Sequence, residues 1–197
     1  MIDRILSKAK ESNIIITNCY AIKKDKLYRD LYVISFTKLY PNILVQMYDI
    51  GLMPHEKILI ESLREELKKP KSLQDNFFVN SYYGNLYYRN NSITDLLSKY
   101  LNVWYVELVS KYDIIYIDTD EIYVHDLSII DSIKELDIPY VIEKINYIYI
   151  HDRKRYVISD DFGIRIKGRQ TKDQTLLLMK NNIVTMIRED KLESIGI

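Results

Sequence analysis

The sequence is poor in the residues that build the commonest special sites. It has one cysteine, Cys19, so neither a disulfide framework nor a cysteine-rich zinc site can form. Its three histidines, His55, His125 and His151, share no spacing that suggests a multi-histidine metal centre. Glycine occurs only 5 times, with no Walker loop and no G-x-G-x-x-G turn, which excludes the usual glycine-rich phosphate cradles. Net charge is absent as well. Lys+Arg 28 balances Asp+Glu 28, so a strongly basic nucleic-acid coat is ruled out and only a local basic patch can serve. No apolar run approaches the ~18 residues of a membrane-spanning helix. The opening MIDRILSKAKES is charged throughout and lacks the apolar core of a signal peptide. The expectation is a soluble, cytoplasmic protein with no membrane partner. Internal repeats and low-complexity tracts are missing too.

What is present is an ordinary globular balance, 47% apolar and 28% charged over 197 residues, enough for one domain with a real core. Tyrosine is abundant, at 18 residues, which suits strands and stacking surfaces. Helical spacing predicts elements over 2–11, from about Thr37, over HEKILIESLREELKK up to Pro70, over SLQDNFFVNSYYG, and from Ser92 to Lys111. In the last of these Ile93, Leu96, Leu97, Tyr100, Leu101, Trp104 and Leu108 make one apolar face, expected to be core. Residues NIIIT read as a buried strand, and CYAIKKDKLYRDLYVISF reads as a β-hairpin turning at KKDK. DIIYIDTDEIYV reads as strand–turn–strand, and DLSIIDSIKELD as a helix capped by Asp126. VIEKINYIYI, RYVIS and GIRIK read as strands, with helix again after Thr171. Alternating hairpins and helices predict an α+β fold, with helices on one face of an antiparallel sheet.

The chemistry concentrates in Asp118-Thr119-Asp120. On a strand, side chains at i and i+2 point the same way, so these two carboxylates would share a face while Glu121 points to the other. Two carboxylates fixed side by side can hold a hard divalent cation, typically Mg2+, which neutralises phosphate charge. A polar turn is the alternative, because Asp and Thr favour turns. The device occurs both in metal-dependent glycosyltransferases with a D-x-D motif and in family B DNA polymerases with a D-T-D hairpin.

The rest of the chain resembles the second class. Ser35-Phe36-Thr37-Lys38-Leu39-Tyr40-Pro41-Asn42-Ile43 stands in the place of D-F-x-S-L-Y-P-S-I, the first palm motif. Arg64 and Lys68 match the R-x-x-x-K of the fingers helix. Asn76, then Asn80-Ser81-Tyr82-Tyr83-Gly84, follow K-x-x-x-N-S-x-Y-G. After the D-T-D hairpin come Glu143-Lys144, Arg153-Lys154-Arg155-Tyr156 and Ile166-Lys167-Gly168, similar to the E-K, K-K-R-Y and I-K-G elements. Together, in this order over residues 26–173, they resemble the palm and fingers of a family B DNA polymerase.

The resemblance implies an antiparallel palm-type sheet with truncated helical fingers. It divides the chain into a first palm part (1–50), stub fingers (51–90), the remaining palm (91–170) and a short helical tail (171–197). It also implies a degenerate site. Ser35 replaces the aspartate that, with the D-T-D pair, would hold two metals, and Asn76 replaces the lysine that meets the triphosphate. Asp30 lies roughly 16 Å along the same strand and cannot substitute. Only 16 residues separate Arg64 from Asn80, too few for a full fingers hairpin, and 24 follow Asp173, too few for a thumb. No exonuclease domain is expected ahead of the palm.

On this expectation Asp118 and Asp120 retain at most a weak, incomplete Mg2+ site. Tyr40, Arg64, Lys68, Asn80 and Tyr83 mark a former nucleotide site. Arg153, Lys154, Arg155, Tyr156, Lys167 and Arg169 grip a nucleic-acid backbone. The expected role is that of a non-catalytic, replication-associated factor binding DNA, primer–template or single-stranded, or a polymerase or replication protein. An active part of a split or minimal DNA polymerase is the alternative, and a D-x-D glycosyltransferase the remoter one.

Overall fold

Tyrosine-rich alternation from residue 112 onward builds most of a seven-stranded sheet, while the long amphipathic stretches before it build helices. The computed structural model describes residues 4, 5, 8, 19–21, 26–52, 57–69, 81, 91–152, 155–161, 163–168 and 181–189. In chain order the elements are β1 (Cys19–Ala21), β2 (Lys26–Phe36), α1 (Leu39–Asp49), α2 (Lys57–Lys68) and α3 (Asn91–Lys111). They continue with β3 (Ile114–Asp118), β4 (Glu121–Val124), α4 (Ile130–Lys134), β5 (Tyr140–Asp152), β6 (Arg155–Asp160) and β7 (Gly163–Gly168). Residues 181–189 are helical as well. The fold is α+β with an antiparallel sheet, as the alternation predicts. No helix among the described residues is long and apolar enough to cross a membrane.

The chain falls into two compact units, each assembled from separate stretches. The helical unit takes Met1–Asn18, Phe36–Lys111 and Ile129–Tyr140. Its core is the apolar face expected of α3: Leu97, Tyr100, Leu101, Trp104 and Leu108 are all buried. Phe36 packs edge-on against Trp104, ring centroids 5.7 Å apart, and against Tyr140 at 6.4 Å. Helix α1 tolerates Pro41 in its first turn, where no intrahelical donor is needed. It stops at Gly51, whose φ of 81° only glycine adopts cheaply. There the N–H groups of Gly51 and Leu52 return to the carbonyls of Tyr48 and Met47, a Schellman closure. The Gln46 amide ties α1 to the Leu136 carbonyl at 2.8 Å. Asp126 is not the helix cap the sequence suggests. It accepts from the Ser128 N–H at 2.8 Å in a local turn, and α4 begins only at Ile130.

The sheet unit takes Cys19–Ser35, Tyr112–Ser128 and Val141–Ile197. Its strand order is β1-β3-β4-β2-β5-β6-β7. The expected hairpin between β1 and β2 does not form. Each lies instead on one flank of the β3–β4 hairpin, β1 against β3 and β2 against β4. Alternation identifies a strand without naming its partner, and here the β3–β4 hairpin offers two edges that the local KKDK turn cannot match. One face of the sheet buries Tyr28, Leu31, Val33, Tyr116, Tyr123, Ile148, Ile150, Tyr156 and Ile158 in a single cluster. On the other, Tyr149 and Val157 are covered by Ile183, Met186 and Ile187 of the 181–189 helix.

The sheet is strongly curled. Tyr116 on β3 and Tyr156 on β6 are four strand positions apart, roughly 19 Å in a flat sheet. Their ring centroids are nevertheless 4.9 Å apart, with Tyr123 5.8 Å from Tyr156. The concave side encloses this tyrosine cluster, and its rim carries the acidic hairpin.

Candidate functional site: the acidic hairpin

The strands β3 and β4 meet in a two-residue turn, Asp118 pairing with Glu121 across it. Thr119 takes the left-handed conformation, φ 56°, that a tight hairpin turn requires of its first residue. Asp120 is therefore a turn residue, and the strand alternation expected to align it with Asp118 does not apply. Glu121 is the corrected position. As the cross-strand partner of Asp118 it shares that residue's face, not the opposite one. Ser35 pairs with Glu121 in turn, so Ser35, Glu121 and Asp118 form one row across β2, β4 and β3. Ser35 and Asp118 are not on neighbouring strands, because β4 runs between β2 and β3.

Every carboxylate oxygen in this row has a donor. The Tyr156 hydroxyl lies 3.0 Å from Asp118 Oδ2 and 3.1 Å from Glu121 Oε2, so its single proton is shared between two acids. Tyr123 donates to the same Glu121 oxygen at 2.6 Å. Glu121 Oε1 accepts from the Lys167 ammonium in an ion pair, and Asp118 Oδ1 accepts from the Thr119 hydroxyl at 3.2 Å. Both tyrosines are buried, so their hydroxyls have no water to turn to and the carboxylates complete them. The same burial, with the Glu121 charge beside them, pushes both phenols well above their ordinary value.

The neighbouring acids Glu121 and Asp120 are treated oppositely. Burial opposes the charge on Glu121, but bonds from Lys167, Tyr123 and Tyr156 outweigh it and hold its carboxyl below the usual range. Asp120 has no such donors. Asp120 is exposed, but partial loss of solvent around it, then repulsion from Glu121 and Asp118, raises its carboxyl above the ordinary value, with its own backbone N–H and Lys167 opposing.

These contacts do not fit a divalent cation. Ser35 offers a neutral hydroxyl, both Glu121 oxygens are occupied, and the local cation is an ammonium. Among the described residues no group of three or more His, Cys, Asp or Glu is placed to hold a metal. The remaining sequence-derived residues divide as follows. Tyr40 is half-buried in the first turn of α1. Arg64 pairs with Asp49, and Lys68 pairs with Glu65 at 2.7 Å. Arg155 opens β6, and Arg165 on β7 is paired with Asp160 and lies 4.0 Å from Glu143. Asn76, Asn80, Tyr83, Arg153, Lys154 and Arg169 fall outside the described residues. Tyr123 and Glu121 are the participants that sequence reasoning missed. Their signal was the two-residue turn itself, which makes positions 118 and 121 opposite each other.

No family model and no curated protein matches the chain. Among solved structures it is similar to the family B DNA polymerase from the hyperthermophilic archaeon Pyrobaculum calidifontis, with 15% identity and a TM-score of 0.47. That similarity covers 100% of this chain and 38% of the polymerase, so the chain spans well under half of that protein's length. At this identity and score the likeness carries no argument about function.

Proposed function

We propose that the chain is a catalytically silent relative of a family B polymerase palm that serves replication by holding a nucleic-acid backbone. The observation that supports this reading best is the filled row. The D-T-D hairpin is kept beside the first-motif position, yet that position is Ser35 and all oxygens of Asp118 and Glu121 are engaged by protein donors. A two-metal reaction needs a carboxylate at the first-motif position and free oxygens on the D-T-D pair, whereas here the first is a serine and both Asp118 oxygens are engaged. The ordered motifs along the chain support the palm assignment. The antiparallel pairing around the hairpin differs from the parallel nucleotide-binding sheet that a glycosyltransferase would place before it.

Primer extension tests the silent site. The protein with Mg2+ or Mn2+ is expected to add no nucleotide, and template-dependent extension abolished by Asp118→Ala would overturn the proposal. Fluorescence anisotropy with single-stranded and primer–template DNA tests the grip. Binding is expected to be modest and to weaken with salt, by about one unit of log–log slope per phosphate contact. Binding that is absent at low ionic strength would refute the nucleic-acid role and leave docking to a polymerase partner.

A further inference from the structure

Part of the row's negative charge is offset from an unexpected direction. Lys167 belongs to β7, four strand positions from β4, and it reaches Glu121 only because the sheet curls. It registers opposite Tyr156, on the face that Tyr156 shares with Asp118 and Glu121. The Glu121 side chain is 17% exposed and that of Lys167 36%, so the pair is largely withdrawn from solvent at the acid and open at the base. A half-buried carboxylate without a cation is costly, and two carboxylates sharing one phenolic proton more so. Some positive charge must sit here for the hairpin to keep its shape.

We infer that the Lys167 ammonium is the resident counter-ion of the Asp118–Glu121 pair, holding the hairpin closed in the role a divalent cation would otherwise fill. This rests on the contacts alone and not on the polymerase resemblance. The ammonium offsets one of the two negative charges and donates a hydrogen bond to Glu121, but it cannot act as a Lewis acid toward a phosphate. A divalent ion would have to shed water and displace Lys167, stranding the ammonium beside the hairpin.

Mn2+ binding, read by electron paramagnetic resonance and by thermal melting, tests the assignment on wild type, Lys167→Met, Lys167→Arg and the double variant Lys167→Met/Glu121→Gln. Wild type and Lys167→Arg are expected to show no saturable binding and no shift in melting. Lys167→Met is expected to melt lower, to regain part of that loss in Mn2+, and to bind the ion at least roughly tenfold more tightly than wild type, because a competing unit charge is gone. Adding Glu121→Gln should abolish the ion response and recover some of the melting loss. Wild-type binding as tight as that of Lys167→Met would overturn the inference. A Lys167→Met protein that melts like wild type and ignores the ion would overturn it too. If Lys167→Met does not fold, the double variant decides. Recovery of folding once Glu121 is neutral supports the pair, and continued failure refutes it.

Discussion

Two tyrosine-to-phenylalanine changes should have opposite effects. Tyr156 and Tyr100 are both buried, and the substitution preserves each ring and its packing. The Tyr156 hydroxyl serves Asp118 and Glu121 at 3.0 and 3.1 Å. A hydrogen bond to a charged group contributes about 1.5–3 kcal/mol, and one proton shared between two acceptors counts once. Asp118 is only half-buried and can recover some hydration, so Tyr156→Phe should cost about 2 kcal/mol. For a chain of this size that is roughly 4–8 °C in Tm. The Tyr100 hydroxyl, by contrast, is buried in the helical unit with no hydrogen-bond partner among the described residues. Removing an unsatisfied buried hydroxyl is neutral or stabilising, so Tyr100→Phe should gain between zero and about 1 kcal/mol.

Urea denaturation followed by circular dichroism separates the two, and the slope with denaturant should be unchanged in both. The pH dependence supplies a second check. Glu121 has a depressed carboxyl in the folded state, so its contribution is complete above the ordinary value of 4.5 and is lost as pH falls through the folded one. The deficit of Tyr156→Phe should therefore be full at neutral pH and shrink below about pH 4.5. A Tyr156→Phe protein as stable as wild type at neutral pH would refute the shared-proton account. So would a Tyr100→Phe protein that loses as much as Tyr156→Phe.

The raised carboxyl of Asp120 gives a change of the other sign. Its folded-state benefit exists below the ordinary value of 3.8 and is lost as pH rises through the folded one. Asp120→Asn should thus stabilise by ~0.2–1 kcal/mol at neutral pH, as suits an exposed turn, with the gain fading in acid melts. Thr119→Gly removes a β-branched residue from the left-handed region but also the hydroxyl that donates to Asp118 Oδ1, so chemical denaturation should show stability within about 1 kcal/mol of wild type. Ser35→Asp should not start primer extension, because Asn76 still stands at the lysine position and the Asp118 oxygens stay engaged; nucleotide incorporation by this variant would contradict that. Replacing Arg153, Lys154 and Arg155 with Ala should lower DNA affinity and flatten its salt dependence in anisotropy titrations while the melting temperature holds. Lys167 is left out of that set because its loss would disturb Glu121.

Much of the fold was legible because periodicity records burial. The face of α3 from Leu97 to Leu108 is core in the structure, and the strand pattern of IIYID and EIYV sits where it was expected. Pairing was less legible. Nothing local in CYAIKKDKLYRDLYVISF reveals that β1 and β2 prefer the two edges of a distant hairpin. The D-T-D motif was visible, but its geometry depended on where strand ends and turn begins, and a turn at 119–120 moves Glu121 into the row and Asp120 out of it. The role of Lys167 could not be read from sequence, since its contact depends on the curl of the sheet.

The register of that row also governs how the chain can assemble. Asp118 and Glu121 meet across a two-residue turn, whereas Ser35 and Glu121 meet across 85 residues. Closing the longer loop costs about 3 kcal/mol more in chain entropy by the logarithmic rule. The β3–β4 hairpin should accordingly be the early, local event, with β2 docking late unless the helical stretch between them has already drawn its ends together. Within the helical unit the Thr37 N–H bonds the Pro139 carbonyl at 2.7 Å, so a formed helical unit holds the chain just after β2 beside the chain just before most of β5. The Ser35–Glu121 pairing, and with it the acidic row, would accordingly close after the β3–β4 turn.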